Sequence, residues 1–112
     1  MNIQIFGAAK CFDTKKAERY FKERKIKYQF IDIYEYGLSQ GEFVNVIAAV
    51  GLNNLFNQDT VEYKRLNLQH IVGRNIREEI LFKNPKLYKS PIVRNGKQAT
   101  LGYQPEVWKN WE

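Results

Sequence analysis

The stretch that most constrains this fold lies near the end of the chain. Ser90-Pro91-Ile92-Val93-Arg94 and Lys97-Gln98-Ala99-Thr100-Leu101-Gly102 flank the dipeptide Asn95-Gly96. Asn-Gly between two β-prone runs is the strongest short-range hairpin signal, because both residues tolerate the positive φ of a tight turn between twisted strands. The last quarter therefore reads as two antiparallel strands. Pro105 follows, a residue favoured at the first helical position, and opens a short helix bearing Val107, Trp108 and Trp111.

The first third has a different grammar. Ile3, Ile5 and Gly7 alternate with Asn2, Gln4 and Phe6, the period of a strand. A helix over Lys15 to Lys25 follows, with Ala17, Tyr20 and Phe21 on one stripe, and then the β-rich run Tyr28 to Ile33, whose Phe30, Ile31 and Ile33 suggest a well-buried strand. A strand–helix–strand unit of this kind pairs its strands in parallel through a right-handed crossover.

The middle is helical. Ser39-Gln40-Gly41-Glu42 is a capping box opening a helix with Phe43, Val44, Ile47 and Val50, closed by Gly51. Leu52 to Leu68 reads as short helical pieces with Leu55, Phe56, Tyr63, Leu66 and Leu68 as core. Asn75-Ile76-Arg77-Glu78 is a second capping-box-like start, placing Ile76, Ile80 and Leu81 on one face, and Pro85 ends that helix. The order is β-α-β, helices, then β-β-α: an α/β fold with a mixed four-stranded sheet.

Composition narrows the function classes. The chain has 112 residues, 44% hydrophobic and 14% aromatic, which suits one domain with a real core. No apolar run approaches the roughly 20 residues of a membrane span, and the first residues lack a signal peptide's order, so a soluble cytoplasmic protein is expected. One cysteine excludes an internal disulfide and argues against a structural zinc site, and no metal is expected. There is no phosphate-binding glycine loop, no dinucleotide fingerprint and no nucleic-acid motif. The net charge of +6 is concentrated in seven basic residues between Lys15 and Lys27, with Glu18 and Lys22 at ion-pair spacing. That run is either a solvated helix face or a docking face for an acidic partner.

Cys11 sits where the first strand hands over to the first helix. A thiol at a helix N-terminus meets unpaired N–H groups and the positive end of the helix dipole, which favour thiolate, the reactive form. Lys10, Lys15 and Lys16 push the same way and Asp13 opposes. The alternative is a small buried hydrophobe. His70, the only histidine, reads as an exposed or satisfied side chain; Tyr34 and Tyr36 read as cover for the sheet edge.

Several segments taken in order resemble the arsenate reductase (ArsC)/Spx family: Ile5-Phe6-Gly7 with Cys11-Phe12-Asp13-Thr14, Gly51 followed by Leu55-Phe56-Asn57, Tyr63 to Leu66, Asn84 to Leu87, Ser90-Pro91-Ile92-Val93, and Leu101-Gly102-Tyr103. The resemblance implies a single domain over 1–112 with a thioredoxin/glutaredoxin-like sheet part (1–36 and 88–112) and a helical insertion (37–87). It implies a redox or catalytic cysteine at Cys11 assisted by Thr14, a cis Ser90–Pro91 bond beside it, and substrate contacts from Lys10, Lys89, Ser90 and Pro91. No cofactor is expected to stay bound; glutathione or another thiol would be a co-substrate, and a thioredoxin- or glutaredoxin-type protein a possible reductant.

The departures from the family pattern matter as well. Arginines that would cradle arsenate are replaced by Asp59, Lys89 and Tyr103, so arsenate reduction is expected to be weak or absent. The second position of a Cys-x-x-Cys switch is Thr14. Gly51 falls at the place where Spx-type proteins contact RNA polymerase, and is equally an ordinary helix terminator. Three readings follow in order: a thiol oxidoreductase needing an external resolving thiol, a non-catalytic module binding RNA polymerase or another protein, and an arsenate reductase with a rearranged site using Lys10, Lys89 or Arg94.

Overall fold

The computed structural model describes residues 1–111; Glu112, the last residue of the expected domain, lies outside the described residues. Four strands, β1 (Ile3–Gly7), β2 (Tyr28–Asp32), β3 (Ile92–Asn95) and β4 (Gln98–Leu101), form one sheet in the order β2-β1-β3-β4. β1 pairs with β2 in parallel and with β3 antiparallel, so Ile5 sits between Phe30 and Val93. β3 and β4 pair antiparallel. This is the expected thioredoxin/glutaredoxin-like mixed sheet. Asn95 pairs with Gln98, so the two-residue loop is Gly96-Lys97 rather than Asn95-Gly96; Gly96, at φ 61°, takes the positive φ that the first loop position needs.

Helices cover both faces of the sheet. Helix α1 (Phe12–Glu23) turns Ala17, Tyr20 and Phe21 onto Ile3, Ile5 and Val93, joined by Trp108 of the one-turn helix α7 (Pro105–Trp108). The Trp108 ring packs against Tyr20, Phe21 and Tyr103, and its Nε1–H donates to Thr100 Oγ1 at 2.8 Å. The opposite face of β1 and β3 presents Phe6 and Ile92 to helix α3 (Gln40–Val50) and to shorter pieces: α2 (Ile33–Tyr36), α4 (Leu52–Leu55), α5 (Val61–Arg65) and α6 (Arg74–Lys83). Phe6 is thus buried like its neighbours: a central strand covered on both faces does not alternate between core and water.

Several expectations are corrected. Phe30 is 40% exposed, because β2 is a sheet edge that the covering helices do not reach. The strand stops at Asp32, whose carboxylate accepts from the Tyr34 N–H and caps α2, so Ile33 is buried from a helix rather than a strand. Tyr36 is 70% exposed, whereas Tyr34 is half-buried and packs against the core. Ser39 and Glu42 do form the capping box, but α3 buries Phe43 and Val46 and leaves Val44 outside the stripe, 59% exposed. Helix α6 begins at Arg74 with Gly73 as N-cap, so Asn75 does not open it, and Ile76 is exposed. Its inward position belongs to Arg77, whose guanidinium stacks on Phe56 at 4.5 Å and donates to the Leu68 and Ile71 carbonyls, both at 2.8 Å. Helix α1 starts at Phe12, not Lys15, and Glu18 accepts a hydrogen bond from the Tyr28 hydroxyl at 2.9 Å instead of pairing with Lys22. Burial and then that carboxylate push the Tyr28 phenol up to about 12.

One contact fixes the junction between β1 and α1. A Cβ on Gly7 would stand 2.5 Å from Thr14 Cγ2 and 2.6 Å from its Oγ1. Thr14 is fully buried, and its Oγ1 accepts from the Ala8 N–H at 3.3 Å. The absent side chain at Gly7 is the space Thr14 occupies. Gly7→Ala should therefore destabilise the fold by about 1–3 kcal/mol through overpacking, seen as a lower urea midpoint; an unchanged midpoint would contradict this packing. Tyr88 gives the opposite case. Its hydroxyl is buried without a hydrogen-bond partner among the described residues, and burial alone pushes the phenol far up. Tyr88→Phe removes a desolvated polar atom at constant shape, so it should leave stability unchanged or raise it by about 1–2 kcal/mol.

Candidate functional site

Cys11 is the N-cap of α1, with extended φ and ψ. Its N–H donates to the Ala8 carbonyl at 3.0 Å and its carbonyl accepts from the Lys15 N–H at 3.2 Å, so the backbone on both sides of the thiol is held. The β1-to-α1 loop is short because Thr14 folds back onto Gly7 and Ala8. Opposite it, the Ser90–Pro91 bond is cis and Pro91 is buried. The protonated Cys11 thiol donates to the Ser90 carbonyl at 3.6 Å.

The segment before Pro91 is stitched in place from the insertion side. Asn57 N–H donates to the Leu87 carbonyl at 2.8 Å, Lys89 N–H to the Leu55 carbonyl at 2.7 Å, and Phe56 and Tyr88 form a single antiparallel bridge between them. Thus α4 and the loop after it position Ser90 against the thiol. On the far side, the Gly102 N–H donates to the Pro91 carbonyl at 2.9 Å, tying the end of β4 to the same loop.

Two influences set the thiol's acidity. Burial alone would raise its pKa. Hydrogen bonds from the Ser90 and Thr14 side chains and from the N–H groups of Thr14 and Asp13 outweigh burial and leave it below the ordinary thiol value. Cys11 is half-buried and opens into a cleft of about 950 Å³. Lys10 and Lys89 stand exposed on its walls, with Ser90 between.

The structure brings Cys11, Lys10, Lys89 and Ser90 together around one cleft, whereas Thr14 and Pro91 are buried and do not line it. Gly51 is different: at φ 88° it ends α3 and starts α4, a conformation that favours glycine. Its neighbours Val50 and Asn54 line the cleft rim, but Gly51 itself does not. Arg94 is not available to a substrate. It donates to Gln4, Asn45 and the Gly96 carbonyl, and lies 3.8 Å from Glu42, tying α3 to the sheet. His70 is exposed and does not line the cleft. Asp59 is not on the wall either; Asp13 is the carboxylate beside the thiol.

Sequence reading missed the wall formed by Thr100, Gly102, Gln104 and Val107. Its only signal was topological: β4 ends beside β3, and β3 begins at Pro91. Among the described residues no cluster of His, Cys, Asp and Glu is arranged to hold a metal ion, and no helix is long and apolar enough to cross a membrane.

Comparison with known proteins agrees with this geometry. The family model described as "ArsC family" matches residues 6–111. Global transcriptional regulator Spx 2 of Oceanobacillus iheyensis is 28% identical, over 95% of this chain and 80% of its own length. An arsenate reductase from Vibrio cholerae superposes with a TM-score of 0.83 at 25% identity, covering 98% of this chain and 97% of that one. The glutaredoxin-like protein NrdH-redoxin from Escherichia coli shares the fold alone, with a TM-score of 0.51 and 12% identity over 100% of this chain and 96% of that one. With a thiol at the start of α1, a cis-proline loop facing it and a family match across nearly its whole length, the chain belongs to the ArsC family.

Proposed function

We propose that this protein is a cysteine-dependent thiol oxidoreductase acting through Cys11, with an external thiol resolving the adduct. The observation that carries the reading is the placement of Cys11: it is the N-cap of α1, beside the cis Ser90–Pro91 bond at the edge of an open cleft, where the helix N-terminus favours thiolate and hydrogen bonding draws the thiol below its ordinary value. The thiolate attacks one sulfur of a disulfide R–S–S–R′. The new Sγ–S bond forms as the old S–S bond breaks, and R′S⁻ leaves with the electron pair.

No second cysteine is present to expel the remaining group, and Thr14 has no sulfur. A second thiol must attack the mixed disulfide and release Cys11 as thiolate. Glutathione, another small thiol, or a thioredoxin- or glutaredoxin-type protein would serve. Thr14 Oγ1 accepts from Ala8 and keeps its own proton to donate to the thiolate. Lys10 and Lys89 offer cations to a carboxylate-bearing thiol, and the backbone at Ser90 and Pro91 suits an extended chain.

Arsenate reduction ranks lower. The cleft offers two lysines but no arginine, so it lacks the planar fork that holds a tetrahedral dianion, and Asp13 adds repulsion. A second reading, a module that binds RNA polymerase or another protein, draws on α3. Val44 and Ala48 are exposed at i and i+4, and Gly51 follows at i+7, making a small apolar strip on the outer surface; an Spx relative at 28% identity supports it. That reading does not need Cys11.

Oxidised glutathione should convert the folded protein to a single adduct, reversed by added reductant, as read by intact mass. Cys11→Ser should give none. Thr14→Ala should slow adduct formation roughly three- to tenfold, because the lost charge-assisted hydrogen bond is half offset by a more nucleophilic thiolate, and Thr14→Ser should restore the rate. A thiol that reacts only after denaturation would move the function to the α3 surface.

A further inference from the structure

We propose that the exposed face of α1 docks the protein that reduces Cys11, and that this partner carries carboxylates around its own redox dithiol. The inference rests on the oxidoreductase reading and names the class of its reductant.

The face begins at the thiol. Phe12, the residue after Cys11, is 80% exposed, and Val107 on the cleft wall and Tyr103, between the wall residues Gly102 and Gln104, are each 41% exposed. Lys16 Nζ lies 5.7 Å from the Tyr103 ring centre, joining this apolar collar to α1. From Phe12 the helix presents Lys15, Arg19 and Lys22 at i+3, i+7 and i+10, one stripe of the surface. All three are exposed, and none takes part in an ion pair among the described residues. Arg24, by contrast, is spent on the Tyr20 ring, 3.7 Å away.

An apolar anchor beside the reacting sulfur, with unmatched cations extending from it, has the anatomy of a protein interface steered by opposite charge. Reach decides against a small thiol. Phe12 to Lys22 spans about 15 Å of helix, whereas an extended tripeptide such as glutathione covers at most about 11 Å. Only a macromolecule engages the thiol and Lys22 together. The collar favours a protein over nucleic acid, whose phosphates gain nothing from Phe12 or from the thiol.

The chemistry balances with a dithiol partner. Its first thiolate attacks Cys11 Sγ in the adduct Cys11–S–S–R, forming a Cys11–partner disulfide and releasing RS⁻. Its second thiolate then attacks the partner's own sulfur, closing the partner disulfide and releasing Cys11 as thiolate. The partner loses two electrons, and the adduct gains them.

The test starts from protein glutathionylated at Cys11. It is reduced either by a thioredoxin-type dithiol protein of net negative charge or by dithiothreitol, an uncharged dithiol that needs no docking. The variant Lys15→Gln/Arg19→Gln/Lys22→Gln is compared with Lys64→Gln/Lys86→Gln/Lys97→Gln, which removes three exposed cations elsewhere from the same +6. At about 0.01 M salt, the α1 variant should be reduced by the acidic protein about tenfold more slowly than wild type, and raising the salt to about 1 M should close the gap. The control variant should stay within about twofold of wild type, and dithiothreitol should reduce all three alike. Equal rates for wild type and the α1 variant, or equal slowing by both variants, would overturn the docking face while leaving the thiol chemistry intact. Binding of a single-stranded oligonucleotide that depends on α1, with no effect on reduction, would overturn it as well. Failure of the adduct to form would instead remove the oxidoreductase reading itself.

Discussion

The junction between β1 and α1 depends on one pair, Gly7 and Thr14. Thr14 fills the space where Gly7 lacks a side chain, and its hydroxyl takes the Ala8 N–H that the turn would otherwise leave unpaired. The helix therefore starts within a few residues of the central strand, and Cys11 becomes its N-cap. The thiol's chemistry follows from that placement: at the start of α1 it faces the positive end of the helix, and hydrogen bonding from Asp13 and Thr14 helps to lower its pKa. A larger residue at position 7 would displace the group that supports the thiolate.

The second half of the site arrives from elsewhere in the chain. Ser90 reaches the thiol because β3 lies antiparallel to β1 and because the insertion holds the preceding segment through Leu55, Asn57 and Leu87. The helical middle is thus more than a spacer between sheet halves. It fixes one wall of the cleft, which Lys89 lines together with Lys10. A lowered thiol pKa also has a thermodynamic side. Because folding depresses it, ionised Cys11 stabilises the fold; that contribution is full above the unfolded thiol pKa and is lost as pH falls through the folded one.

Much of this was legible in the sequence, and the failures have physical causes. Asn95-Gly96, the Ser39–Glu42 box and Pro105 mark their elements because they act locally, through φ or a single hydrogen bond. Phe30, Val44 and Ile76 were misplaced because exposure depends on which strand is an edge and on which residue wins the inward stripe, and hydrophobicity alone decides neither. Arg77 shows the limit most plainly: a charged residue takes a core-facing position because two carbonyls and the Phe56 ring meet its donors and its flat face there. In the site, Cys11 could be found from its place between a strand and a helix, and Thr14 from the family resemblance. Asp13's place on the wall and the contribution of Gly102 to Val107 could not, since they follow from how β4 and α7 return to the cleft.

Folding shifts Cys11 toward thiolate below the ordinary thiol pKa, and the pH dependence of its alkylation by iodoacetamide measures that shift. The rate follows the thiolate fraction. In the folded protein its midpoint should fall below the about 8.5 of an unperturbed cysteine, and in denaturant it should return to that value. A folded-state midpoint at or above the denatured one would mean that burial outweighs the hydrogen bonding and the helix N-terminus, and that Cys11 is not an activated thiol.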